Sequence, residues 1–250
     1  MREAVIVSTA RTGVGKAYRG AFNDTEAPVL SAHVVDAALD RAGIDPARVD
    51  DVYLGCGNHW GTQSYNQGRL TVHASKLPDS TAGFTLDRKC SSGLNAIALA
   101  ARGIICDEID VAVAGGVESI SLTINKHAPA YRNRSKAVIA ADPTAYMQMI
   151  ETAEIVADRY GVSREVQDQF ALLSQQRAAA AQAAGRFDAE IVPITVEKVL
   201  FEKDGSEAGR QSVTLDRDEG VRADTTLEGL ASLKPVWKDG LVVKEGRHVT

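Results

Sequence analysis

At 250 residues the chain can form one large domain or two ordinary ones, and 44% hydrophobic with 24% charged residues is a globular balance. The formal net charge of −5 argues against a general nucleic-acid binder, although a few local Lys or Arg can still hold a small anion. No stretch approaches the ~18 apolar residues of a membrane span, the opening MREAVIVSTARTG lacks a leader's apolar region and cleavage site, and an odd count of three cysteines argues against a disulfide framework and for a reducing cytoplasmic setting.

Residues 3–8 (EAVIVS) are apolar and β-branched and read as a first strand. Residues 28–42 read as a helix, with Pro28 in the first turn, Leu30, Val34, Ala38 and Ala42 on one face, and Gly43 as its stop. DVYLG at 51–55 reads as a strand, 66–76 as a short helix, AGFTLDR at 82–88 as a strand, 91–105 as a helix and DVAVAG at 110–115 as a strand. Strands alternating with helices predict an α/β fold with a parallel-dominated sheet covered on both faces. After residue 119 the pattern changes. A basic, irregular run at 126–136 leads to helices over 144–160 and 164–184, the second with Ser163 as N-cap and Gly185 as stop. Two strand-like runs follow in 190–215, then a short helix over 226–234 before Pro235, giving this half an α+β character. The expected organisation is a sheet domain at 1–118 and a second domain at 119–250.

Chemistry concentrates in LDRKCSSGLNAIAL at 86–99. Cys90 follows a strand and precedes a helical apolar pattern of Leu94, Ile97, Ala98 and Ala101. Backbone N–H groups and the positive dipole end of a helix N-terminus favour a thiolate. The corner exposes the sulfur as a nucleophile elbow exposes a serine, and Ser91, Ser92 and Gly93 leave room for a substrate. From these residues alone, an inert cysteine buried at a strand end is the standing alternative.

The run KCSSGLNAIALA followed by VAVAGGVESIS resembles two N-terminal motifs of the thiolase family, and VIVSTARTGVGK resembles its first strand and turn. MIETAEIVADRYGVSREVQDQFALLSQ, AAGRFDAEIVPI and TTLEGLASLKPVW resemble the thiolase loop domain, so the likeness runs in order along nearly the whole chain. It implies a thiolase-like fold with an inserted loop domain that holds coenzyme A. It also implies acyl transfer between Cys90 and coenzyme A thioesters: the thiolate takes an acyl group, which coenzyme A removes or the carbanion of acetyl-CoA attacks. Coenzyme A is then a substrate, no separate cofactor is needed, acyl-CoA and acetyl-CoA are the partners, and a homodimer or homotetramer is the expected assembly.

By the same resemblance Arg222, in EGVRADTT, packs near the adenine of coenzyme A, the alternative being a solvated arginine in an acidic loop. Met149 lines the pantetheine path, the alternative being helix core. Gln148 stands where some biosynthetic members have His, and Gly229 where they have Ser, which leaves longer acyl chains open. The His, second Cys and Asn motifs of a full thiolase do not occur in this sequence. The chain therefore reads as the N-terminal part of such a protein, a fragment expected not to turn over acyl-CoA by itself.

Cys56, in LGCGN, reads as a packing or loop-geometry residue and Cys106 as helix-end core. His33, His59, His73, His127 and His248 form no metal-ligand pair, nor do the cysteines. TGVGKA at 12–17 resembles a phosphate loop but lacks its first Gly and the hydroxyl residue after Lys16. GCGNHWG at 55–61 misses a dinucleotide fingerprint by one residue, and both read as turns at strand ends. The competing readings are a condensing enzyme of the ketoacyl synthase type and a non-catalytic acyl-CoA-binding or assembly subunit.

Overall fold

A computed structural model describes residues 2–235. The chain divides into two compact units. The first comprises Met1–Pro129 with Phe187–Gly220, the second Ala130–Arg186 with the segment from Val221 onward.

The first unit is built on a three-stranded parallel sheet. β1 (Asp51–Gly55) lies at its centre, flanked by β2 (Ala82–Leu86) and β3 (Ala112–Gly116), in the order β2-β1-β3. α1 (Ala27–Ala42) begins with Pro28 in its first turn and ends at Gly43, whose φ of 63° is the left-handed conformation a Cβ would resist. α2 (Gln67–Ala74) is capped by Asn66, whose side chain accepts from the Arg69 N–H. Both helices cover one sheet face. Val35 and Leu39 of α1, Val52 and Leu54 of β1, Val72 of α2, and Val49 and Leu77 form one buried cluster. Strand alternation turns Tyr53 to the other face, where α3 (Ser92–Ile105) lies: a Cβ built on Gly103 would sit 3.3 Å from the Tyr53 hydroxyl. α2 reaches β2 backbone to backbone, since a Cβ on Gly83 would lie 2.4 Å from the Arg69 nitrogen.

A short helix, α4 (Ile120–Thr123), follows β3. The antiparallel hairpin of β4 (Ile194–Phe201) and β5 (Glu207–Leu215) also belongs to the first unit, held by paired hydrogen bonds between the Asn23 side chain and the Val199 backbone.

The second unit contains α5 (Lys136–Ala141), α6 (Met149–Tyr160), α7 (Arg164–Ala183) and α8 (Leu227–Ala231). Ser163 caps α7 by accepting from the Val166 N–H. Arg164 fastens α8 to α7, donating to the Leu230 carbonyl at 2.6 Å while pairing with Asp168 at 2.9 Å.

Residues 3–8 correct the expectation of a first strand. They join no ladder among the described residues, and Val5, Ile6 and Val7 are 71%, 73% and 67% exposed. Their composition favours an extended backbone, but a strand also needs an adjacent edge, which local composition does not report.

Candidate active site

Because β1, β2 and β3 run parallel, their carboxyl ends share one edge of the sheet, the edge at which open α/β sheets bind ligands. Three segments leave from it: Cys56–Trp60 after β1, Asp87–Cys90 after β2, and Val117–Ser119 after β3. The first turn of α3 rests directly on them. A Cβ on Gly55 would lie 2.4 Å from the Ser92 carbonyl carbon, and one on Gly116 would lie 3.2 Å from the Gly93 Cα. Glycine at both positions lets α3 start this close to the strand ends.

Cys90 is solvent-exposed, two residues before α3 begins. The turn before it is tight. Lys89 has φ of 49°, uncommon for a residue with a Cβ, and Arg88 and Cys90 form an isolated bridge across it. Ser92 clamps the turn, its hydroxyl donating to the Lys89 carbonyl at 2.6 Å and accepting from the Arg88 N–H at 2.8 Å. The Lys89 ammonium donates to the Gly57 carbonyl at 2.7 Å and to Asp87 at 2.9 Å. Burial disfavours the Asp87 carboxylate, but the Lys89 N–H and ammonium outweigh it and hold Asp87 below the usual carboxylate range. His59 lies 3.9 Å from the same carboxylate.

Beside this corner is a polar knot. Gln63 is fully buried; its Nε2 donates to Glu118, to the Asn58 carbonyl at 2.7 Å and toward the Cys56 sulfur at 3.3 Å, and its Oε1 accepts from the Ser119 N–H. Glu118 also accepts from the Gly57 N–H at 3.0 Å. Burial first, and the Glu118 charge second, push the Cys56 thiol up to about 11. Cys56 is buried, which fits the packing role its sequence context indicates. Cys106 departs from expectation: it is the C-cap of α3 and is exposed rather than in the core.

Arg222 lies in the second unit with its side chain exposed, and its N–H donates to the Gln175 side chain of α7 at 2.7 Å. Met149 is the first residue of α6 and is 76% exposed, so it is not helix core. An open cavity of about 320 Å³ in the first unit lies between residues 10–17 and the β3 edge, lined among others by Val14, Leu54, Val113 and Glu118; Cys90 is not part of its wall. No group of three or more His, Cys, Asp or Glu among the described residues could hold a metal ion. No described helix is long and apolar enough to cross a membrane. Glu118 lies inside the VAVAGGVESIS run and can be singled out only as the charge after two glycines; nothing near Gln63 in the sequence announces its burial.

A sequence-family model described as the N-terminal domain of thiolase matches residues 4–246. This chain belongs to the thiolase family. It is 42% identical over 244 residues to a 3-ketoacyl-CoA thiolase of Bacillus subtilis (strain 168), covering 97% of the chain and 61% of that relative. It is 40% identical to the peroxisomal 3-ketoacyl-CoA thiolase A of Rattus norvegicus, covering 95% of the chain and 53% of that relative. Among solved structures, the crystal structure of the Bacillus anthracis acetyl-CoA acetyltransferase superposes with a TM-score of 0.77 at 35% identity, over 94% of this chain and 59% of that one. This thiolase domain therefore spans less than two thirds of the length of the relatives it matches.

Proposed function

We propose that this chain carries the acyl-accepting cysteine of a thiolase reaction on coenzyme A thioesters, with Cys90 as the nucleophile. The observation that carries the reading is the position of Cys90: exposed, in the turn just before a helix, on the carboxyl edge of a parallel sheet. In the degradative direction the Cys90 thiolate attacks the 3-keto carbonyl of a 3-ketoacyl-CoA. A carbon–sulfur bond forms, the C2–C3 bond breaks, and the departing acetyl-CoA carbanion takes up a proton. The thiol of a second coenzyme A then attacks the Cys90 thioester, releasing acyl-CoA and returning the cysteine as a thiol. The condensing direction reverses these steps. In this reading Arg222 and Met149 of the second unit contact the nucleotide and pantetheine portions of coenzyme A. Their exposure supports that role, because both side chains are open to a ligand. A homo-oligomer belongs to the same reading, supported by the exposed ring of Tyr65, which is 91% exposed. Three unpaired cysteines support a reducing compartment such as the cytoplasm.

The test is to incubate the chain with acetoacetyl-CoA and map covalent adducts by peptide mass spectrometry. One acetyl group on Cys90, removed by added coenzyme A, is the expected result. Binding of acetoacetyl-CoA with no adduct on Cys90 would replace this reading with a non-catalytic acyl-CoA-binding subunit.

A further inference from the structure

The turn that presents Cys90 is braced from outside its own segment. The left-handed backbone of Lys89 is unfavourable for a residue with a Cβ, so it persists only where the surroundings hold it. One hold is external: the Lys89 ammonium on the Gly57 carbonyl, 2.7 Å away. Gly57 in turn is fixed by Glu118, whose carboxylate accepts its N–H at 3.0 Å. The packing repeats this order. A Cβ on Gly57 would meet the Glu118 carboxylate at 3.0 Å on one side and the Lys89 Cα at 3.7 Å on the other. Gln63 sets the carboxylate, because its buried amide spans Glu118, the Asn58 carbonyl and the Ser119 N–H and so ties the exits of β1 and β3 together.

We propose that Glu118 is a positioning residue for Cys90, acting through Gly57 and Lys89. The inference rests on the reading of Cys90 as the nucleophile. Its physical content is geometric: Glu118 supplies a hydrogen-bond acceptor, not a charge. An acceptor at this point keeps the Gly57 carbonyl under the Lys89 ammonium, which keeps the turn closed and the sulfur at the start of α3. A charge effect has the opposite sign, since a carboxylate near a thiol disfavours the thiolate.

The experiment compares iodoacetamide alkylation of Cys90 with that of Cys106 in the same molecules, in wild type, Glu118→Ala and Glu118→Gln, with urea unfolding run in parallel to confirm that each variant is folded. The expected result is an approximately fivefold or greater fall in the Cys90-to-Cys106 rate ratio for Glu118→Ala, and a smaller fall for Glu118→Gln, whose amide oxygen can still accept the Gly57 N–H while its NH2 faces the Gln63 amide in place of the second carboxylate oxygen. An increased ratio in both variants would make Glu118 an electrostatic influence and overturn the proposal, as would an unchanged ratio or an equal fall in both. Lys89→Gly provides a second route: glycine tolerates the φ of 49° while losing the ammonium, so the fold is spared and the ratio is expected to fall as in Glu118→Ala. A wild-type Cys90 no faster than Cys106 would instead refute the nucleophile reading, which keeps the two failures distinct.

Discussion

The Arg11 guanidinium grips Asp218 bidentately, at 2.7 and 3.1 Å. Its Nε donates to Glu190 at 2.7 Å, and its face lies 5.4 Å from the Phe187 ring. Phe187 and Glu190 stand where the chain returns to the first unit, and Asp218 two residues before it leaves at Gly220. One arginine therefore holds both passages. Asp218 and Glu219 also accept backbone N–H groups of the phosphate-loop-like turn and its continuation: Asp218 accepts from Val14 at 2.8 Å, and Glu219 from Lys16 at 2.7 Å and from Ala21, just beyond the turn, at 3.1 Å. The anion of this turn is supplied by the chain itself.

Arg11→Ala is expected to destabilise the first unit by about 1–2 kcal/mol, a charge-assisted hydrogen-bond loss discounted for partial solvent exposure. Urea unfolding measures it. The pH dependence has a definite sign. The Arg11 hydrogen bond, with the Val14 N–H, holds the Asp218 carboxyl below its ordinary value. Its contribution is therefore complete above the unfolded carboxylate pKa of about 3.9 and is lost as pH falls through the lower folded value. Asp218→Asn should flatten the acid limb of the stability profile; a profile superimposable on wild type below pH ~4 would show that the clasp contributes nothing.

The three thiols should separate cleanly under limiting iodoacetamide at neutral pH. Cys90 is expected to label first, Cys106 second and Cys56 last, because burial and the Glu118 charge push the Cys56 thiol up to about 11. Peptide mapping reads the order directly. Early labelling of Cys56 would contradict its burial.

Gly55→Ala should couple folding to reactivity. The new Cβ would sit 2.4 Å from the Ser92 carbonyl carbon and 2.5 Å from the Gly93 nitrogen, both backbone atoms that cannot rotate away. A cost of about 1–3 kcal/mol is expected from overpacking. Displacement of the first turn of α3 should slow Cys90 alkylation more than that of Cys106, which lies at the far end of the same helix.

Arg222→Ala is expected to weaken coenzyme A binding by about 5- to 20-fold, or roughly 1–2 kcal/mol. Titration calorimetry of the chain with coenzyme A measures it. In a protein that turns over, the loss should raise KM and leave kcat nearly unchanged, the sign of uniform binding. Unchanged affinity would reassign Arg222 to a solvated loop.

The sequence made the alternating half of the fold legible because its signals are local. Pro28 and Gly43 bracket α1, Ser163 caps α7, and the β1 residues 51–55 coincide with the expected strand. Cys90 could be placed at a helix start for the same reason. Pairing between distant segments is not local, so it could not be foreseen from their β-branched composition that residues 3–8 join no ladder among the described residues. Nor could the return of the β4–β5 hairpin to the first unit through Asn23. The Gln63–Glu118 knot escaped because a glutamine in a polar loop carries no mark of the buried amide it becomes.

The exposed run at residues 5–7 has a colloidal consequence. An exposed apolar segment that joins no ladder among the described residues is a template for edge-to-edge pairing between molecules. Solutions of this chain should scatter light increasingly with concentration and age, faster at high salt, where the repulsion of a net charge of −5 is screened. Ile6→Lys should suppress that growth without touching the buried cluster around Val52, because Ile6 is 73% exposed while Val52 is fully enclosed. The opening residues would then govern how long the protein stays in solution, and the sheet how it folds.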